Sequence, residues 1–281
     1  MSGQGWAVCL DAKTGDKKWA VDTVRELGGR NPKWGFAESV LIDGDNAFFT
    51  PGSQAGSAVA MNKKTGKLVW SSKGMGEQSA YCSPMLLELS GKRRIVTMLD
   101  NSIVAFDAAT GQPLWRHPYR NKWAAHPNTP MFQDGMLYDS AGYGEGGFAL
   151  KLSADGAQMQ EAWVDKKLDC HHGGMVLLDG YIYGSSSKGQ WICLELKSGK
   201  VMHEVPGVGK GSVTYADGML YCYGEKGKVG LVKATPTGHD VISSFQVRKG
   251  SGEHWAHPVV CGGRLYVRHG NALMAYDVKG Q

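Results

Sequence analysis

LDAKTGDKKW, residues 10–19, places an acid four residues before a glycine and a tryptophan four residues after it. The same frame returns as Asn62–Gly66–Trp70, Asp107–Gly111–Trp115 and Glu195–Gly199–His203. A catalytic constellation has no reason to occur four times, so the decapeptide reads as one element of a structural repeat. Two looser copies stretch the second step to seven residues, from Gly156 to Trp163 and from Gly238 to Phe245. Aromatic to aromatic, the six copies stand 51, 45, 48, 40 and 42 residues apart, the period of propeller blades.

A second landmark falls between the copies. DGMLY (134–138), DGYIY (179–183), DGMLY (217–221) and GGRLY (262–266) put a turn dipeptide ahead of alternating apolar residues, and DGDNAFF (43–49) is a looser version. Such dipeptides tolerate the positive φ that a tight hairpin demands, so each marks the turn from a first strand into a second. SAVAMN (57–62), SIVAFD (102–107), WICLEL (191–196) and ALMAYD (272–277) supply a third strand, expected to alternate between its two faces. The aromatic falls on a fourth strand. The acid or amide then accepts backbone N–H groups in the turn between the third and fourth strands, and the glycine takes a positive φ. The tryptophan lays its flat face on the neighbouring blade, with its indole N–H on a backbone carbonyl.

The frame predicts an all-β fold, a β-propeller of four-stranded antiparallel blades. Five complete blades fall at 36–70, 79–115, 126–163, 171–205 and 211–247, with two partial ones, 5–21 holding third and fourth strands and 255–278 holding the first three. That is six to seven blades in one domain over residues 1–281. Forty glycines and 10% aromatic residues suit short strands and tight turns. No apolar run is long enough to span a bilayer, and the chain opens without a signal-type leader. The net charge of +5 comes mostly from turn lysines, with no contiguous basic face, so nucleic acid is not an expected partner. The six cysteines form neither a CxxC nor an adjacent pair, against a zinc site or an attached haem.

CLDAKTGDKKW (9–19), AMNKKTGKLVW (60–70) and AFDAATGQPLW (105–115) resemble the repeat of the pyrroloquinoline-quinone (PQQ)-type β-propellers. That family includes the quinoprotein alcohol dehydrogenases and a non-enzymatic propeller lipoprotein of the outer-membrane assembly machinery, and the chain looks most like its bacterial members. The resemblance implies rings of seven or eight blades, so this chain would be an N-terminally incomplete part of a ring of up to eight. It also implies a periplasmic or exported protein. For the dehydrogenases it implies PQQ stacked on a tryptophan, a calcium ion on the quinone carbonyl, and an aspartate base. The sequence departs from that pattern: it has no vicinal cysteines, and only Glu38, Asn128 and Asp169 stand near the expected ligand and base positions.

Functional residues are therefore sought in the loops before each first strand. Counting back nine residues from the second-strand aromatic gives Ser39, Thr129, Gly174, Ser212 and His257, with Ser83 as the matching residue of the second blade, small or polar side chains suited to a crowded wall. Counting back twelve gives His126, His171 and His254, three imidazoles at one level of three blades and a candidate metal set. Adjacent His171 and His172 would point to opposite faces of a strand. Trp34, Glu38, Tyr81, Trp123, Asn128, His172, Lys210, Trp255 and His257 complete the candidate ligand-binding set, an aromatic and polar funnel at one mouth of the channel. The expected function is a non-catalytic binding or scaffold module for a protein, peptide or glycan, with no cofactor. A PQQ-dependent alcohol dehydrogenase using PQQ and calcium is the alternative.

Overall fold

The computed structural model describes residues 1–73 and 75–279. Among them there are strands and turns and no helix. Five four-stranded antiparallel sheets, each in simple consecutive order, span 41–71, 85–118, 131–165, 175–205 and 211–246. A three-stranded sheet spans 259–277 and a two-stranded sheet spans 6–22. This is the blade series read from the repeat, and the fold is a β-propeller. The first strands of the first four complete blades begin four to six residues later than expected, so segments 36–40, 79–84, 126–130 and 171–174 are loop rather than strand.

The chain forms two compact units, Met1–Pro130 with Lys151–Gln160, and Met131–Leu150 with Glu161 onward. In the first unit the repeated decapeptide does the same work at three turns. Asp11 Oδ1 accepts the N–H groups of Lys13 and Thr14 at 2.9 and 3.2 Å. Asn62 Oδ1 holds Lys64 and Thr65 at 3.0 Å, and Asp107 Oδ1 holds Ala109 and Thr110 at 3.1 Å. The glycine N–H returns to the carbonyl of the same acid or amide, and the glycine φ values of 77, 69, 73 and 72° are those a Cβ penalises.

The fourth-strand tryptophan then closes on the next turn. In the first unit, Trp19, Trp70 and Trp115 donate their indole N–H to the carbonyls of Lys63, Ala108 and Gly156 at 2.9, 3.0 and 3.0 Å. In the second, Trp163 donates to Leu196 at 3.0 Å. Each ring lies flat over a glycine of the turn it meets where that turn is of the Thr-Gly or Ser-Gly type: a Cβ on Gly66 or Gly199 would stand 2.8 Å from the indole of Trp19 or Trp163. Only glycine permits that approach. His203, in the tryptophan's place, sets Nδ1 3.3 Å from the Pro236 carbonyl of the longer final turn.

The hairpins follow their dipeptides. Asp134–Gly135, Asp179–Gly180 and Asp217–Gly218 all carry positive φ at both positions, as a type I′ turn requires. At Gly44–Asp45 only the glycine does. One expectation changes: the third strands do not alternate. Ser102–Asp107 is buried at five of its six residues and Trp191–Glu195 at four of its five. Each is hydrogen-bonded on both edges and packed on both faces, so only the acid at its end reaches water. Alternation survives in Ala272–Asp277, the third strand of the three-stranded sheet, and in Trp6–Leu10, that of the two-stranded sheet.

Candidate functional site

Each unit carries its own cluster in the loops before the first strands. In the first unit, Asn121 shapes the loop that carries Trp123: its Oδ1 accepts the N–H groups of Trp123 and Ala125, and its Nδ2 donates to the Ala125 carbonyl at 2.6 Å. Ala124 is held at a φ of 50° as a result. Tyr81, buried and at a φ of 76°, turns its hydroxyl to the N–H of Trp34 at 3.4 Å. The Trp34 ring stands 5.8 Å from Tyr81 and 6.1 Å from Trp123, and both indoles are solvent-exposed. Lys33 Nζ lies 5.0 Å from one indole and 4.7 Å from the other, a cation held between two π faces.

Three other candidates of this unit are buried. His126 is fully buried, its Nε2 3.2 Å from the Asp100 carbonyl and its Nδ1 3.4 Å from Asn121 Nδ2. Burial pushes its pKa down to about 4. Glu38 is buried under Thr50, whose N–H and hydroxyl donate to its carboxylate at 2.9 and 2.8 Å, and desolvation lifts its pKa to about 7. Asn128 is buried as well.

The second unit gathers the more chemical cluster. His171 and His172 lie in a bend, not a strand, so their rings are 4.4 Å apart instead of on opposite faces. His171 Nε2 meets the hydroxyl of Tyr143 at 2.6 Å, and its Nδ1 lies 3.1 Å from Lys210 Nζ. Lys210 pairs with Glu225 Oε1 at 2.9 Å, and the same oxygen is 3.4 Å from His172 Nε2. Trp255, exposed, packs its ring 4.9 Å from His172, and His257 Nε2 contacts the His172 carbonyl at 2.8 Å. The sequence AGYGEGG (141–147) builds the far wall. Asp169 accepts the N–H groups of Gly144 and Gly146 at 3.0 Å, Tyr143 takes a φ of 63°, and Gly142 packs so closely on His171 that a Cβ would stand 2.8 Å from its Cα.

Both imidazoles are held neutral. Desolvation, then the neighbouring His172 and Lys210, bring His171 down to about 4 against the opposing pull of Asp169. Desolvation and Lys210 lower His172, with Glu225 opposing. Among the described residues, His171, His172 and Glu225 are the one group of three donors close enough for a single ion. Neither His126 nor His254 belongs to it; His254 stacks on His269 at 3.6 Å and meets the Tyr223 hydroxyl. Lys210 places its own ammonium against two of the three donors, which leaves a charge-balanced, hydrogen-bonding pocket floor.

Fold and site together define a propeller whose rigid blades carry aromatic and polar loops. The chain belongs to the PQQ-like propeller family: the family model described as "Outer membrane protein assembly factor BamB" matches residues 2–205. Among solved structures, BamB from Moraxella catarrhalis is 18% identical with a TM-score of 0.71, over 98% of this chain and 79% of that one. The quinohemoprotein alcohol dehydrogenase from Comamonas testosteroni is 14% identical with a TM-score of 0.64, over 99% of this chain and 63% of that one. The computationally designed Ika8 protein gives 12% and 0.67, over 99% and 79%. At these identities the likeness is one of fold. No curated protein sequence matches the chain.

The family implies PQQ and calcium, and the donor sets among the described residues do not fit calcium. Calcium takes six to eight oxygens. Glu38 gives both of its oxygens to Thr50, the Asp169 carboxylate holds loop amides, and the one three-donor group is nitrogen-rich with a lysine against it.

Proposed function

We propose that the protein is a non-catalytic binding and scaffold module that holds a polypeptide on its loop clusters. The observation that carries this reading is the exposed Trp34–Trp123 pair clasping Lys33, presented by loops whose backbone is fixed from below by Tyr81 and Asn121. Exposed indoles on rigid loops are what interfaces use as anchors, because they bury large area with few rotors to freeze. The Trp255 and His171–His172 cluster adds neutral donors and acceptors around an internally neutralised ion pair, suited to the amides of a peptide rather than to a strongly charged ligand. The family's assembly-factor description favours a protein partner and a periplasmic, outer-membrane-associated setting for this reading.

The test is a calorimetric titration with synthetic peptides from outer-membrane barrel strands, beside a dye-linked alcohol oxidation assay with added PQQ and calcium. We expect saturable peptide binding that a Trp34→Ala, Trp123→Ala, Trp255→Ala triple variant weakens at least about tenfold, roughly 1.4 kcal/mol, and no oxidation. Alcohol turnover, or affinities that the triple variant leaves unchanged, would overturn the reading.

A further inference from the structure

In the second unit a cation already stands against two donors of the His171, His172 and Glu225 group. Lys210 Nζ lies 3.1 Å from His171 Nδ1 and 2.9 Å from Glu225 Oε1. An ammonium only donates, so His171 Nδ1 accepts from it and carries no proton. The proton of the neutral ring is therefore on Nε2, which donates to the Tyr143 hydroxyl at 2.6 Å. A metal-binding imidazole is arranged in this way, one nitrogen offering its lone pair to the cation while an oxygen behind the ring holds the other N–H. His172 Nε2 is the third donor. It is shielded from solvent, makes no hydrogen bond among the described residues, and stands 3.4 Å from the same Glu225 oxygen. A buried polar atom left in that state costs free energy that a bound ion would offset.

Other imidazoles of this unit have their nitrogens engaged elsewhere. His257 Nε2 contacts the His172 carbonyl, both nitrogens of His269 contact carbonyls, and His254 Nδ1 meets the Tyr223 hydroxyl. The donors of the group are held in place by their loops. Gly142 packs on the His171 backbone, Trp255 packs on the His172 ring, and the Glu225 N–H donates to the Lys210 carbonyl at 2.7 Å. The Lys210 side chain has more freedom. A quarter of it is exposed, and a cleft of about 470 Å³ lined by Lys210, Glu225 and Glu253 lies beside it, with room for the ammonium to move aside.

We propose that His171, His172 and Glu225 form a binding site for a divalent ion of the zinc type, occupied by the Lys210 ammonium at rest and vacated by it when the ion binds. Two imidazoles and one carboxylate suit zinc, whereas calcium and magnesium require oxygens. Zinc bonds of about 2.1 Å place tetrahedral ligands roughly 3.4 Å apart. The donor atoms lie within 4.8 Å of one another, so the widest pair draws in by at most about 1.4 Å, a distance that side-chain rotation supplies. Three protein ligands leave the fourth position to water or an incoming group.

The test is calorimetric titration of zinc chloride into the full chain, purified without a histidine tag and stripped with chelator. We expect saturable uptake of one ion by the wild type. His172→Ala should lower the affinity at least about tenfold, and Lys210→Met should raise it about tenfold, because the competing cation is gone. His254→Ala, outside the group, should leave it unchanged. Thermal midpoints in metal-free buffer verify that each variant is folded. Nitrogen NMR of the wild type labelled at histidine needs no substitution: zinc should shift the ring nitrogens of His171 and His172 and leave those of His254 in place. No uptake by the wild type, affinity that His172→Ala leaves unchanged or that Lys210→Met weakens, or shifts at His254 in place of His171 and His172 would overturn the proposal. Zinc uptake is read without any peptide, so it stands or falls apart from peptide binding.

Discussion

Gly15→Ala and Gly111→Ala separate backbone strain from packing at two glycines of nearly equal conformation. Their φ values are 77 and 73°, so an alanine at either costs the same left-handed penalty, about 1–2 kcal/mol. Part of it is offset by the stiffer unfolded chain. The surroundings differ completely. A Cβ at residue 15 meets nothing, whereas at residue 111 it collides with the ring of Trp70, which is 8% exposed and tied to the Ala108 carbonyl. Trp70 has to leave its seat or the turn has to move, an overpacking cost of about 1–3 kcal/mol. Urea unfolding read by circular dichroism and tryptophan fluorescence should therefore place Gly111→Ala about 1–3 kcal/mol below Gly15→Ala. In a Trp70→Ala background, itself about 3–5 kcal/mol less stable, the extra cost at residue 111 should vanish. Equal destabilisation at the two glycines, or an excess that survives removal of Trp70, would refute the tryptophan-on-glycine account of how the blades lock.

Other consequences concern charge. Unfolded His126 titrates near the ordinary 6.5 and folded His126 near 4, so the folded state binds fewer protons between those values and loses stability as pH falls through them. His126→Gln should remove on the order of 3 kcal/mol of that dependence, measured as the difference between wild-type and variant unfolding free energies at pH 7 and pH 4. Glu38 acts in the opposite sense: its folded pKa near 7 lies above the unfolded value, so its contribution is lost as pH rises from 4.5 to 7. The stability of Glu38→Gln relative to wild type should rise over that interval and then level off. Lys210→Met should raise the NMR titration midpoints of His171 and His172, since Lys210 helps to depress both and Glu225 would then face His172 alone; unchanged midpoints would remove Lys210 from that role.

The repeat was legible because its residues answer to local constraints. Gly15, Gly66, Gly111 and Gly199 need positive φ, Asp11, Asn62 and Asp107 need the adjacent N–H groups, and the tryptophans need a flat seat, so spacing alone exposed the blades. The third strands misled because alternation reports one wet face, and Ser102–Asp107 has none. The site was legible only in part. Counting along the chain brought His126 level with His171 but carried no information on depth, and the pocket of Asp100 and Asn121 swallowed it. His171 and His172 would diverge on a strand, but the backbone bends there and brings their rings together. Lys33, Tyr143 and Glu225 went unnoticed because each reaches its partners across the fold: Lys33 to Trp123, Tyr143 to His171 and Glu225 to His172. The one local signal was the glycine-rich AGYGEGG, a stretch that only a strained loop requires.

The central claim, that the loop clusters hold a polypeptide partner, is tested most directly by site-specific photocrosslinking in the native host. A photoreactive phenylalanine analogue is placed in turn at Trp34, Trp123 and Trp255, and at Val164, an exposed residue of a fourth strand. The account predicts one discrete protein adduct at positions 34, 123 and 255 and none at 164. Adducts absent from the three loop positions, or equally strong at Val164, would contradict it.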